Sequence, residues 1–476
     1  MAATPLHFQS IPELARRLRD GSLGPVALTE ALLARIDALD PRLHAFRVVT
    51  RERALAEARA AEAELRAGQE RGPLHGIPYV AKDLYDVKGE ATTAGTHLLE
   101  DTRAAQDCHA VRRLAQAGMI LLGKTHTVQF AFGGVGINHD HGTPHNPWHA
   151  EPHAPGGSSS GTGVAVAAGL APVGLGSDTG GSVRIPAALN GIAGLKTTVG
   201  RIGRSGVYPL SWTLDSVGPL ARTVEDTALV FAALQGRDFA DETTEGVAPL
   251  DVLGPLARGA AGLRLAFCET AFFDDVDAAV ASAVRATGAV FEKLGAHVSR
   301  IQAPEISEAI GFGRRDLFVA AEACHYNGRF LDEHFDALDP IISHRMIGGR
   351  KMAAVDYFAL LRKWAELRRS LLETLRDVDA LLVPTCQVPA RPLSVIDASK
   401  ESYAAYNLKY LRNTAVGNVL NLCGTSVTCG FDAGGLPIGL MVYAKPFAED
   451  IALRVAHAYE RATDWHTRHP KLDWAR

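Results

Sequence analysis

Hydrophobic and polar positions change period along this chain, and the changes outline its elements. Ser10 and Glu13 have the spacing of a capping box, so a short helix is predicted to run to about Leu18 and to end near Gly21. Pro25 opens a second helix with Leu28, Leu32, Leu33 and Ile36 on one face, and Pro41 is expected to stop it. A third, alanine-rich helix is predicted over 51–67, with Ala54, Leu55, Ala58 and Leu65 turned inward. From Pro73 the pattern alternates. Residues 76–84 read as a strand that carries Lys82 among Ile77, Val80 and Leu84, and 107–117 as an amphipathic helix. Strands are predicted at 119–122 and 172–176. After Asp226 helices dominate, at 227–234, 278–294, 305–318 and 357–376, with strands at 263–268 and 379–384. A strand pair (427–431 and 437–443) and a helix over 449–461 close the chain. Strands and helices in alternation predict an α/β layered core. Apolar content continues throughout, without a repeat or a Pro/Ser-rich linker, so one large domain is expected over all 476 residues.

One stretch departs from this rhythm. Residues 156–206 are dense in glycine, serine and alanine, yet apolar runs separate two small-residue turns, GGSSSG at 156–161 and SDTGGS at 177–182. A flexible linker lacks such apolar payload. Glycines in this setting serve close backbone approach and unusual dihedrals.

Bulk properties narrow the class. With 47% hydrophobic and 21% charged residues and a net charge of −4, the chain has no general affinity for nucleic acid or anionic membranes to offer. Six scattered cysteines without paired zinc-type spacing read as buried thiols in a reducing compartment. No apolar run approaches a membrane span, and the start lacks the architecture of a signal peptide. The expectation is a cytoplasmic enzyme with no membrane span.

Two candidate chemistries fail on context. Gly118–Thr125 spells a phosphate-binding P-loop, but its variable positions, Met119 to Leu122, read as the strand itself. His139, His141, His145, His149 and His153 cluster, yet Pro144, Pro147, Pro152 and Pro155 break any helix that would align them, and no HExxH occurs. Hydrogen-bonded loop histidines are expected there, with no metal and no cofactor.

The serine turns carry more. Asp178-Thr179-Gly180-Gly181-Ser182 follows a predicted strand and precedes Ile185, Leu189 and Ile192, which are spaced as one helix face. Successive amides of Thr179, Gly180, Gly181 and Ser182 can form an anion-binding nest, the place where a tetrahedral oxyanion would be held. Ser158 likewise precedes a helix-like run over 159–170, so two helix starts at neighbouring strand ends could bring both serines together. A serine hydroxyl needs a base. No histidine stands in an apolar strand context, whereas Lys82 does, and burial would lower its pKa. The same residues also read as two N-caps and an ion-paired lysine, and spacing alone leaves both readings open.

The chain resembles the amidase signature family of serine hydrolases. The matching text is GIPYVAKDL, NPW at Asn146–Trp148, GGSSSG, GLGSDTGGSVRIPAALNGIAGLK, GRIGRSGVYPLSWTLDSVGPLARTVED and DALLVPTCQVPA, with GLPIGL matching more loosely. The resemblance implies a central mixed β-sheet covered by helices on both faces. Along the chain it implies a helical piece over 1–70, a catalytic core over 71–235, a mostly helical variable region over 236–380 and a return to the core sheet over 381–476. It also implies a Ser–cisSer–Lys triad. Ser182 matches the nucleophile, Ser158 the bridging serine after a cis peptide, and Lys82 the base, with the two serines 24 residues apart. Asp178 and Arg184 would brace the loop. Thr197, Thr428 and Met441 depart from the family's frequent proline, proline and glutamine, which bears on pocket shape and not on the triad.

The activity implied is hydrolysis of a small-molecule amide, with esters or carbamates open to the same acyl-enzyme route. The runner-up is a glutaminase subunit of an amidotransferase complex, disfavoured because 408–418 offers no acidic residue to grip glutamine's ammonium. A metal-dependent amidohydrolase ranks lower still. Phe132, Gly133, Gly134, Tyr208 and Trp212 are the candidate pocket residues, Phe130 suits pocket or core, and a helical flap is conjectured over 310–352. A homodimer is compatible with the sequence.

Overall fold

In the computed structural model, which describes residues 4–311 and 315–476, eleven strands form one sheet. In chain order they are β1 (Phe46–Val49), β2 (Pro78–Lys82), β3 (Ile120–Thr125), β4 (Val173–Asp178), β5 (Ala193–Lys196), β6 (Ser216–Ala221), β7 (Arg264–Cys268), β8 (His297–Ile301), β9 (Ala380–Pro384), β10 (Cys423–Phe431) and β11 (Pro437–Ala444). The spatial order is β1-β3-β2-β4-β6-β5-β10-β11-β9-β7-β8. The sheet is mixed. β3, β2 and β4 run parallel to one another, as do β8, β7 and β9, while β6, β5, β10 and β11 pair antiparallel between them. Every residue of β2, β3, β4, β5 and β6 is buried, so helices and loops cover both faces there, as is usual for the parallel strands β2, β3 and β4 and extends here to the antiparallel β5 and β6.

The amino-terminal helices follow their capping signals. Ser10 accepts from the Glu13 N–H while the Glu13 carboxylate takes the Ser10 N–H, and the helix runs Ile11–Arg19. Pro41 does not stop the second helix. That helix spans Pro25–Leu43 and ends where His44 turns left-handed at φ 52°. A proline in the last turn forgoes one N–H donor, and the helix carries on past it by two residues. The front piece is also not purely helical, since β1 pairs with β3 at the sheet edge.

The phosphate-loop text resolves as expected from its context: Gly123, Lys124 and Thr125 lie within β3, and the buried Lys124 ammonium pairs with Asp83 at 2.6 Å. The run from Ile185 to Leu195 is not one helix. Its helix, Arg184–Asn190, ends at a left-handed Gly191 (φ 71°), and β5 begins at Ala193, so Ile192 belongs to neither face pattern. β5 and β6, and the twenty-residue helix Lys400–Val419, lack a periodic signal in the sequence. Within 310–352 and within the helix predicted over 305–318, residues 312–314 lie outside the described residues; the described part carries the helices Pro304–Gly311, Arg315–Glu333 and Pro340–Ile347, with short 3-10 turns at Phe335–Ala337 and Gly348–Lys351. Among the described residues no helix is long and apolar enough to cross a membrane.

Candidate active site

Parallel β2 and β4 are neighbours, so their carboxyl ends, Lys82 and Asp178, open on the same edge of the sheet. Loops at such carboxyl ends are where open α/β sheets place ligands. Lys82 is fully buried. Its Nζ lies 2.7 Å from Ser158 Oγ and 2.9 Å from Ser177 Oγ. Burial lowers its pKa from 10.5 to about 7, against the opposing pull of Asp215 and Asp178. A lysine at that value is neutral in a large fraction of molecules near pH 7 and can accept a proton.

Ser158 follows a cis Gly157–Ser158 peptide and precedes the helix Ser160–Ala167. Ser182 lies two residues before the helix Arg184–Asn190. The two turns are stitched by the Ser159 N–H, which donates to the Ser182 carbonyl at 3.3 Å. Among the described residues no hydrogen bond joins the Ser158 and Ser182 hydroxyls. Such bonds are often long without substrate and tighten only in the reacting complex.

The second turn is held from behind by a buried ionic knot. Arg184 Nε and Nη2 donate to the two carboxylate oxygens of Asp178 at 3.0 and 2.8 Å, with both side chains fully buried. Arg184 also donates to Asn418 Oδ1 (2.7 Å) and Tyr443 Oη (2.6 Å). Burial alone would raise the Asp178 pKa; Arg184, with help from Asn418, overrides it and holds the carboxyl at about 2. The helix Lys400–Val419 brings Asn418 here, and Thr414 from the same helix donates to the Gly180 carbonyl at 2.6 Å.

This bracing changes the expected set of oxyanion donors. The Gly181 N–H does not face the site: it donates to Asp178 Oδ1 at 2.8 Å, and the Val183 N–H to Asp178 Oδ2 at 3.1 Å. Gly181 adopts φ 138°, and a Cβ there would come within 2.1 Å of Thr414 Oγ1, so the position tolerates no side chain. The amides of Thr179, Gly180 and Ser182 remain as candidate donors. Thr179 is fixed by its hydroxyl, 2.5 Å from Asp215 Oδ1, and Asp215 in turn accepts from the N–H groups of Leu210 and Ser211. Burial raises the Asp215 pKa despite these bonds.

Two cavities meet across Leu210. One is lined by Ser182, Thr179, Gly180, Phe132, Gly133 and Arg345 among others, the second by Ser177, Tyr208, Trp212, Asp215 and Tyr326 among others. Phe132 and Gly133 therefore flank the serine, while Tyr208 and Trp212 line the adjoining space. Gly134 lines neither. Its N–H donates to Asn407 Oδ1 at 2.7 Å and its Cα packs toward Leu411 and Ile185. Phe130 is core, stacked between Tyr208 and Phe330. Thr197, Thr428 and Met441 are buried and line neither cavity.

The histidines lead elsewhere. His139 bridges Asp339 (2.6 Å) and Asp397 (3.0 Å), and its hydrogen bond to the Asp339 carboxylate raises its pKa to about 9. His141 packs near His97 and Glu100, and His149 near Glu151 and His153, each trio with its ligand atoms within 4.8 Å of one another. Neither trio includes a residue that lines the two cavities. Ser177, Asp215 and Arg345 are site residues that sequence reasoning missed. Ser177 stands in plain sight, directly before Asp178 in the second turn.

Comparison with known proteins fits this geometry. The Amidase family model matches residues 27–453. The chain is 40% identical to the 2-amino-5-chloromuconic acid deaminase of Comamonas testosteroni, over 95% of each chain. It is 39% identical to a glutamyl-tRNA(Gln) amidotransferase subunit from Pseudomonas putida strain W619, over 98% of this chain and 99% of that protein. The native peptide amidase of Stenotrophomonas maltophilia superposes with a TM-score of 0.83 at 30% identity, over 98% of this chain and all of that one. The chain belongs to the amidase signature family, as a hydrolase that acts on carbon–nitrogen amide bonds.

Proposed function

We propose that this chain hydrolyses small-molecule carboxylic amides through an acyl-enzyme on Ser182, with Lys82 as the base and Ser158 as the proton bridge. The observation that carries the reading is the buried Lys82–Ser158 contact at 2.7 Å, at a lysine whose pKa lies at about 7. Neutral Lys82 accepts the Ser158 proton while Ser158 accepts the Ser182 proton. Ser182 Oγ forms a bond to the amide carbon, and the charge that develops on the carbonyl oxygen falls to the N–H groups of Thr179, Gly180 and Ser182. Collapse breaks the C–N bond. The proton on Lys82 returns through Ser158 to the departing nitrogen, and the amine leaves. Water then attacks the ester and gives its proton to the same relay, which restores Ser182 and releases the acid. Asp178 and Arg184 act as braces that set the curvature of the donor loop. Esters and carbamates share this route.

A glutaminase role is the second reading, favoured by the 39% identity to an amidotransferase subunit. The wall beside Ser182 argues against it. Among the described residues that wall contains Arg345 and no carboxylate, so the ammonium of bound glutamine would lack a partner. The test is turnover of an amide panel by the purified chain alone. Ammonia or amine release that vanishes in Ser182→Ala supports the reading; hydrolysis of glutamine alone, and only with partner subunits present, would replace it with the second.

A further inference from the structure

The sequence leads to hydrogen-bonded loop histidines over 139–153, and His141 does not meet that expectation. Its side chain is 3% exposed, yet neither ring nitrogen has a hydrogen-bond partner among the described residues. A buried imidazole in that state has given up its water and received nothing in return. Its Nε2 faces Glu100 Oε1 at 3.5 Å, and His97 Nε2 lies 3.7 Å from the same oxygen. The His97 and His141 rings meet edge to face, with centroids 4.3 Å apart.

Local structure explains the convergence. His97 opens the 3-10 turn His97–Leu99 and Glu100 caps its end. In 3-10 geometry the side chains at i and i+3 eclipse, so these two project together. Across from them, Asn138 Oδ1 accepts from the N–H groups of Asp140 and His141 at 2.8 Å each, which folds the loop back on itself. His97 Nδ1 donates to Asp140 Oδ1, and Asp140 Oδ2 also accepts from Thr96 Oγ1 (2.9 Å) and Gln129 Nε2 (3.1 Å). A carboxylate at Nδ1 fixes the proton there and leaves the Nε2 lone pair facing Glu100 and His141. Metal-ligating histidines ordinarily have this support.

The three donor atoms are two imidazole nitrogens and a carboxylate oxygen, all within 4.8 Å of one another. Donors about 2.0–2.2 Å from a tetrahedral zinc stand roughly 3.4 Å apart, close to the two separations found. Arg47 Nη2 also donates to Glu100 Oε1. An ionised carboxylate has about four lone-pair sites, so Glu100 can keep that bond while it ligates. The trio of His149, Glu151 and His153 is built differently: His149 Nδ1 already accepts the Glu151 N–H at 3.0 Å, and His153 Nδ1 is bonded to the Glu151 carbonyl at 2.8 Å.

We propose that His97, Glu100 and His141 bind a divalent cation of the zinc class, with water in the fourth position, and so clip the turn at 97–100 to the loop at 138–141. None of the three lines the cavities beside Ser182, so the cation takes no part in the proton relay. Its effect is on the fold. Through Asp140 and Gln129 it steadies the segment that leads into Phe132 and Gly133. The proposal is independent of the acyl-enzyme reading.

Full-length protein, stripped with a chelator and dialysed against zinc chloride, tests it by elemental analysis and by Tm. The wild type should retain zinc and gain Tm on adding it. Glu100→Gln, which keeps an acceptor for Arg47, and His97→Ala change partly exposed side chains, so if one fails to fold the other decides. Both should weaken zinc binding by more than about a hundredfold and abolish the Tm gain, and Asp140→Asn should weaken it by roughly 10–100-fold. A double variant, His149→Ala with His153→Ala, should bind as the wild type does. Cobalt(II) in place of zinc should show the visible absorption of a four-coordinate complex, lost in Glu100→Gln. A wild type that retains no zinc overturns the proposal. So do unchanged binding in a folded Glu100→Gln or His97→Ala, loss of binding in the double variant instead, and a six-coordinate cobalt spectrum.

Discussion

Lys82 Nζ and Ser177 Oγ lie 2.9 Å apart in a buried pair, one residue upstream of the ionic knot at Asp178. The contact matters because a neutral amine has two N–H donors and one lone pair. If one N–H is spent on Ser177, the lone pair is free to face Ser158. Ser177→Ala is therefore expected to lower kcat/KM by about tenfold, the worth of one hydrogen bond. It should also move the lower limb of the pH profile to more acidic pH, because Ser177 supports the ammonium form. A rate loss with no movement of that limb would assign Ser177 to packing alone.

The pH profile itself follows from Lys82. Burial lowers its pKa to about 7, so the proton-accepting form accumulates as pH rises through that value. The profile of kcat/KM for an amide should climb tenfold per unit below about 7 and flatten above it. Lys82→Ala should cost roughly 10²–10⁴-fold, with the residual rate rising toward alkaline pH as hydroxide takes the base's place. A wild-type profile that stays flat from about pH 5 to about pH 9 contradicts the role.

Asp178 and Arg184 form the buried pair whose loss should be felt first in stability. Asp178→Asn leaves the Arg184 guanidinium with the Asn418 and Tyr443 oxygens but no counter-charge. Breaking a fully buried pair by removing one partner costs about 3–5 kcal/mol. Chemical denaturation should show that loss, together with a fall in turnover as the Thr179–Ser182 loop relaxes. A variant of wild-type stability would mean that the knot is not a brace.

His139 gives a pH dependence of opposite origin, in folding. Its folded pKa is raised to about 9 from 6.5, first by the Asp339 hydrogen bond and then by Asp397. A raised pKa means that the folded state holds the proton more tightly. The stabilisation is thus fully present below about 6.5 and is lost as pH rises through about 9. The difference in Tm between wild type and His139→Leu should be largest near the acid end of this window and should shrink across it. A gap independent of pH removes the ion pair as the cause.

Much of this site is legible in the sequence, for identifiable reasons. Lys82, Ser158 and Ser182 stand out because a lysine inside an apolar strand and two serines in glycine turns violate the local pattern. The helix Lys400–Val419 does not, because Asn407, Thr414 and Asn418 put polar groups on a buried face and erase the apolar stripe that reveals a helix. β5 and β6 are short, and Gly191 and Pro219 interrupt the runs around them. Pro41 misleads because a proline near a helix end signals a stop more often than a passenger. Its place in the turn assigns the Gly181 amide to the oxyanion, yet only the structure shows Asp178 folding back to claim it. Arg345 is invisible for a simpler reason: it lies 163 residues from Ser182 and belongs to no motif.

The central claim is that Ser182 becomes acylated, and covalent trapping tests it most directly. The purified protein should take up one fluorophosphonate group, detected by intact mass and mapped by peptide sequencing to Ser182. Labelling should be absent in Ser182→Ala and strongly slowed in Lys82→Ala. An amide-hydrolysing protein that acquires no adduct, or acquires it at a residue other than Ser182 while Ser182→Ala keeps its turnover, would contradict the account.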